Sequence, residues 1–253
     1  MALPAIGMLR ELVIGSKDHD DYPTSWGDCL EKLAETGVPR SLRRLELNRG
    51  GYWDISSTEL GDLSVLYPHL DKLEELRIEM GSMSFGDVMH LPALKKLDIY
   101  TGGLTSSELK AINAARWPAL ETLWICIGET GNDYGCDVEM ADLEPILAAE
   151  NLPAVKHLGL ENTSLADQIA AALPTSRILP RLETLDLSKG MLSEEGAKAI
   201  LAHWDAFAHL KALDLTHAYI STETADALRA KGIVTLDELQ DPDEEYRYCE
   251  ISE

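Results

Sequence analysis

One hydrophobic pattern recurs along the chain. A six-residue frame puts an apolar residue at its first, fourth and sixth places. It reads LRELVI from Leu9, LRRLEL from Leu42, LEELRI from Leu73, LKKLDI from Leu94, LETLWI from Leu120, VKHLGL from Val155, LETLDL from Leu182 and LKALDL from Leu210. Successive starts lie 33, 31, 21, 26, 35, 27 and 28 residues apart. The second half of each frame alternates apolar and other residues, the period of a strand with one buried face. A single frame would carry no weight. Eight in one chain predict eight strands that send their leucines into a shared core.

Between the frames the period changes to that of helices. Ser56 with Glu59, and Thr105 with Glu108, have the spacing of capping boxes. Ser193 precedes Glu194 and Glu195, acids suited to the positive end of a helix, and Ala197, Ile200, Leu201 and Trp204 follow at helical spacing. Ser221 opens a similar segment that Gly232 closes as a C-cap. Each unit therefore reads strand, turn, helix, return. Helices that bring the chain back to one edge make the strands parallel. Neither element buries its apolar side alone, so the units must stack.

These frames, and most clearly LETLDLSKGMLSEEGAKAIL from Leu182, resemble the leucine-rich repeat family in its long, ribonuclease-inhibitor-like variety, including standalone bacterial proteins of that kind. The resemblance implies an α/β solenoid of about eight repeats. It would be a curved horseshoe with parallel inner strands and mostly helical outer segments. The whole chain, 1–253, would be one such domain, with an N-terminal cap over 1–8 and a C-terminal cap over 233–253. Tyr246, Tyr248 and Ile251 are expected to pack over the last repeat. One departure stands out. Where the family carries Asn or Cys after the frame, this chain has Gly50, Gly81, Gly102, Gly128, Thr163, Gly190 and Ala218. Glycine turns through a positive φ but supplies no side-chain ladder, so a less regular horseshoe is expected.

Composition narrows the partners. With 253 residues and 45% hydrophobic content, the chain has enough apolar material for a sizeable core. The net charge of -22 disfavours nucleic acid or an anionic membrane and favours, if anything, a basic protein. No apolar run reaches the roughly 18–20 residues that span a bilayer, and the first residues lack a secretory pattern. Cys29, Cys126, Cys136 and Cys249 form no CxxC pair and suggest neither a disulfide framework nor a zinc site. The expectation is a cytoplasmic monomer without cofactor, its copies held apart by charge.

Alternation along the frames assigns the inner face. Its middle column reads Val13, Glu46, Arg77, Asp98, Trp124, Gly159, Asp186, Asp214. With the columns on either side it holds eight acids against three bases, Arg44, Arg77 and Lys96. Trp124 takes a place otherwise given to small or charged residues. With Tyr100 beside it and Asp98, Glu79, Glu161 and Asp186 around it, it is the candidate protein contact, since aromatic anchors bury large area at low entropic cost. The alternative is that the long insertion after Gly128 folds back over the indole. Asp133, Asp137 and Glu139 in that insertion raise a calcium reading, but Val138 stands where a calcium loop needs glycine. The acidic stretch from Lys17 to Pro23 reads as a plain loop. No HExxH, GxSxG, GxGxxG or P-loop string occurs. Of the histidines only His157 reaches the inner face, two columns from Cys126 and too far for a nucleophile–base pair. The sequence thus reads as a non-catalytic protein-interaction module binding through the concave face and adjacent loops. An acidic inhibitor or immunity-type protein neutralising a basic enzyme such as a nuclease is the alternative. A metal-dependent enzyme on the Asp-rich face is the weaker one.

Overall fold

The structure, a computed structural model, describes residues 8–15, 24–48, 55, 58–131 and 134–251. Ser56, Gly50, Asp133, the stretch 17–23 and nearly all of the expected N-terminal cap lie outside them. The strands in chain order are β1 (Glu11–Ile14), β2 (Thr24–Ser25), β3 (Arg44–Leu47), β4 (Thr58–Asp62), β5 (Glu75–Glu79), β6 (Ser82–Ser84), β7 (Lys96–Tyr100), β8 (Thr122–Gly128), β9 (His157–Thr163), β10 (Thr184–Asp186), β11 (Ala212–Asp214) and β12 (Val234–Thr235). The α-helices are α1 (Gly27–Thr36), α2 (Ser106–Ala114), α3 (Met140–Leu147), α4 (Ala166–Ala172), α5 (Glu194–Ala202), α6 (Trp204–Phe207) and α7 (Thr222–Arg229).

Nine strands form one sheet in the order β1-β3-β5-β7-β8-β9-β10-β11-β12, and each neighbouring pair is parallel. Each crossover advances one place in the same direction. The frames set the register. Leu45, Leu76, Leu97, Leu123, Leu158, Leu185 and Leu213 align across the ladder, each at most 1% exposed. At about 1.5–3 kcal/mol for each buried leucine, this row is a main source of stability. Leu109, Ile112, Leu143, Ile146, Ile169, Ile200 and Leu228 from the helices join the same core, so the helices cover the leucine face. α2 packs on α3, α3 on α4, α4 on α5, and α5 on α7.

Local chemistry explains three of the helix starts. Thr105 and Glu108 make the capping box at α2. Ser193 accepts from Glu195 N at α5, and Ser221 from Thr224 N at α7. The expected helix from Ser56 does not form around Glu59. That residue lies in β4, paired with β2 and β6 in a second, three-stranded parallel sheet. Gly61 sits there at φ +77, against Gly27, a conformation and an approach that a helix cannot use. The Leu63–His69 segment that follows is 3₁₀, contains Pro68 and is capped by Asp62. Between α1 and α2 the outer layer is therefore short strand and 3₁₀ turn rather than α-helix.

Three further expectations change. The frames account for eight strands of the large sheet, but Val234 and Thr235 add a ninth inside the segment assigned to a cap. Of the glycines expected to turn the chain after a frame and lying in the described residues, Gly81, Gly102, Gly128 and Gly190, only Gly128 has a positive φ, of 101°. At the next turns that conformation falls on Asn162, Lys189 and His217, while Gly190 is needed because a Cβ there would strike the Thr163 backbone. The C-terminal tail does not stop over the last frame. Gln240 N donates to Ala218 O, Glu250 N to Lys189 O, and Ile251 exchanges two 2.7 Å bonds with the Asn162 side chain. The tail thus runs backwards along the turns that follow β11 and β10 to the end of β9. Cys249 is buried on this path, whereas Tyr246 is 79% exposed.

Candidate functional site

The face of the sheet opposite the helices carries the columns read from the frames. Val13, Glu46, Arg77, Asp98, Trp124, Gly159, Asp186 and Asp214 are successive ladder partners. Glu79 pairs with Tyr100, and Cys126 with Glu161. All six candidate contact residues, Trp124, Tyr100, Asp98, Glu79, Glu161 and Asp186, lie on strands of this face, but their environments differ.

The N-terminal part is an ion-pair lattice. Arg44 reaches Glu11 at 3.3 Å, Glu75 at 3.5 Å and Glu46 more closely. Arg77 binds Asp98 at 2.6 Å and Glu79 at 3.4 Å, and its guanidinium stacks 4.3 Å from the Tyr100 ring centre. Burial opposes the charge on Arg77, but Asp98 and then Glu79 outweigh it and hold its pKa above the ordinary value. Asp98 is only 6% exposed. It was expected to ring the aromatic pair at the surface. Instead it lies beneath the surface, held by Arg77.

Tyr100 is clamped between two cations. The second is Lys189, from the turn after β10, whose Nζ lies 5.0 Å from the ring centre and 3.0 Å from the hydroxyl. The same Nζ donates to Glu161 at 2.7 Å. Glu161 is also buried, contrary to the expected exposed ring. Burial and the nearby Asp186 carboxylate push its carboxyl up to about 7, and Lys189 opposes them. Asp186 is half-buried, accepts from Ser188 N at 2.9 Å, and is raised by burial and by Asp214. Lys189 escaped sequence reasoning because it follows the frame and reaches the face from a left-handed turn residue.

Trp124 lies across the neighbouring strand. A Cβ built on Gly159 would collide with the indole Cδ1 and Nε1, so the absent side chain makes room for the ring. The signal was available in the sequence, because Gly159 occupies the next place in the same column. The indole is half-buried. Its Nε1 is shielded and makes no hydrogen bond. The insertion turns away to the strand ends. Thr130 N meets Ser164 Oγ, Thr130 Oγ1 meets Val138 O, and Asp137 accepts from Ser106 N and Oγ. Asp142 accepts from Glu139 N at the start of α3. Asp137 and Glu139 are thus used in loop and helix ends, and no group of three or more metal-ligating side chains gathers among the described residues.

Cys126 is buried against Glu161 at 3.9 Å, and burial raises its thiol pKa well above the usual value. His157 bonds Thr184 Oγ1 at 2.9 Å. The two form no nucleophile–base pair. Among the described residues no helix is long and apolar enough to cross a membrane.

No family model and no curated protein matches the chain. Among solved structures it is similar to a crystal structure of a Bacteroides fragilis protein determined by structural genomics. The two share 27% identity and a TM-score of 0.85, over 100% of this chain and 71% of that one.

Proposed function

We propose that this protein is a non-catalytic interaction module, a leucine-rich repeat solenoid that binds a basic protein partner through the open face of its large sheet and the adjoining turns. Trp124 carries the reading. A large indole held flat over Gly159 on a polar face serves no core, and such aromatic surfaces anchor interfaces. Asp186 and, further along the face, Glu79 present partly exposed carboxylates, while Asp98 and Glu161 act from beneath by fixing Arg77 and Lys189. The repeat assignment rests on the eight frames and on a strand order that advances one place at a time. The net charge of -22 favours the narrower form, an acidic inhibitor or immunity-type protein acting on a basic enzyme such as a nuclease. In this reading the protein works as a cytoplasmic monomer, without metal or cofactor.

The test is capture of partners from source-cell lysate with the wild type and with Trp124→Ala, at low and high salt. A basic protein retained by the wild type and lost from the variant, with the variant's melting temperature little changed, is the expected outcome. Equal capture by both removes the indole from the interface. A rise in melting temperature on adding calcium or zinc would instead favour the metal-dependent enzyme. The captured partner's activity with and without this protein separates inhibitor from scaffold.

A further inference from the structure

A second feature of the same face is a cavity of about 350 Å³ over β3, β5 and β7, lined by Arg44, Glu46, Glu75, Arg77, Lys96 and Asp98. Its cations are largely committed. Arg44 engages three carboxylates, and Arg77 engages two plus the Tyr100 ring. Two of its carboxylates, although ion-paired, keep acceptor capacity to spare. Asp98 is 6% exposed, and its Oδ1 is buried with no hydrogen-bond donor. A buried acceptor without a donor costs about 1–3 kcal/mol, more when charged. Glu75, on the neighbouring strand, has a half-exposed side chain held at 3.5 Å by Arg44 Nε. Lys96 completes the picture. Its Nζ stays 3.8 Å from Asp98 Oδ2 and its side chain is 43% exposed, so it is the loosest group over the carboxylate.

From this geometry we infer that the cavity is an acceptor site for an arginine side chain of a protein partner, which displaces Lys96 and places its guanidinium between Asp98 Oδ1 and Glu75. Glu75 stands opposite Lys96 and is therefore the diagonal neighbour of Asp98, about 7–8 Å away along the backbone, a span that the planar donor fork of arginine, with a carboxylate leaning in from each side, bridges and the point charge of lysine does not. An anion would find only Lys96 unengaged. The inference rests on the proposed protein-binding role and adds the chemistry of one contact. It also gives the lattice a purpose: Arg44 and Arg77 hold the acidic walls in place.

The probe is Nα-acetyl-arginine methylamide, with its uncharged citrulline analogue as control, titrated into the full chain by isotope-edited NMR. Saturable shifts confined to the amides of β5 and β7 are expected, with none from citrulline. Lys96→Ala should bind several-fold more tightly, because it removes the competing cation. Glu75→Gln, at a half-exposed site that leaves folding intact, should bind about tenfold more weakly, the weight of one charge-assisted hydrogen bond. Asp98→Asn should abolish the response. Absence of saturable shifts in wild type, equal binding of citrulline, or unchanged affinity in both Lys96→Ala and Glu75→Gln overturns the site. If the probe fails while Trp124→Ala still abolishes partner capture, only this cavity is refuted. If the probe binds but no basic partner is captured, the cavity stands and the interaction role falls.

Discussion

Adding one methyl group at Gly159 should evict Trp124. The backbone of Gly159 lies in β9 outside the left-handed region, so alanine is conformationally allowed there. By itself Gly→Ala would stabilise the strand by about 0.4–1 kcal/mol through the unfolded chain. The collision falls on Cδ1 and Nε1 of the indole, and a half-exposed side chain is freer to move than the ladder backbone. A buried tryptophan covers about 150–250 Å². Losing roughly half of that contact, at about 25 cal/mol per Å², costs about 2–3 kcal/mol. Offset by the backbone gain, Gly159→Ala should destabilise by about 1–2 kcal/mol. The decisive measurement is a double-mutant cycle by chemical denaturation. In the Trp124→Ala background the same glycine change should be neutral or stabilising, since nothing remains to displace. Partner capture should fall with Gly159→Ala although no contact residue is altered. If Gly159→Ala costs the same in both backgrounds, the indole does not rest on Gly159 and the arrangement described for the site is wrong.

Leu185→Ala, at a site 1% exposed, should cost about 2–5 kcal/mol in a denaturant melt; a loss below about 1 kcal/mol would mean that the frame register is off by one. Glu161 titrates near 7 in the fold against an ordinary 4.5, so the folded state binds the extra proton; stability should fall by up to about 3 kcal/mol as pH rises through that window, and Glu161→Gln should flatten the profile. A melt series whose stability rises from pH 5 to about 7 for wild type relative to Glu161→Gln contradicts the buried placement. Asn162→Gly keeps the left-handed turn but removes both bonds to Ile251, so it should cost about 1–2 kcal/mol and speed hydrogen exchange at 248–251; unchanged exchange there would place the tail elsewhere.

The strands and their facing were legible because the frames fix them locally. A leucine at the fourth place must point inward, and its neighbours must then point out. Helix starts at Thr105, Ser193 and Ser221 were legible for the same reason, since each cap is satisfied within its own first turn. Ser56 and Glu59 show the limit. Their spacing fits a capping box, yet pairing with Thr24–Ser25 and Ser82–Ser84 draws Thr58–Asp62 into a strand. The aromatic site was half legible. Trp124 was conspicuous, but its resting place depended on reading Gly159 as the complement of a large neighbour. The clamp on Tyr100 was hidden, because Lys189 lies 89 residues away in sequence. The burial of Asp98 and Glu161 follows from those long cations closing over them.

The backward course of the tail alters how the molecule comes apart. In a sheet where each strand touches only its neighbours, the last strand would be free to fray first, and loss would spread inward one strand at a time. Here Ile251 is fastened to Asn162 near the end of β9, and residues before it bond to the turns after β10 and β11. Releasing β11 or β12 therefore also disturbs a segment anchored two strands further in. The block from β9 to β12 should open as one cooperative unit, held shut by residues 240–251 as by a clasp.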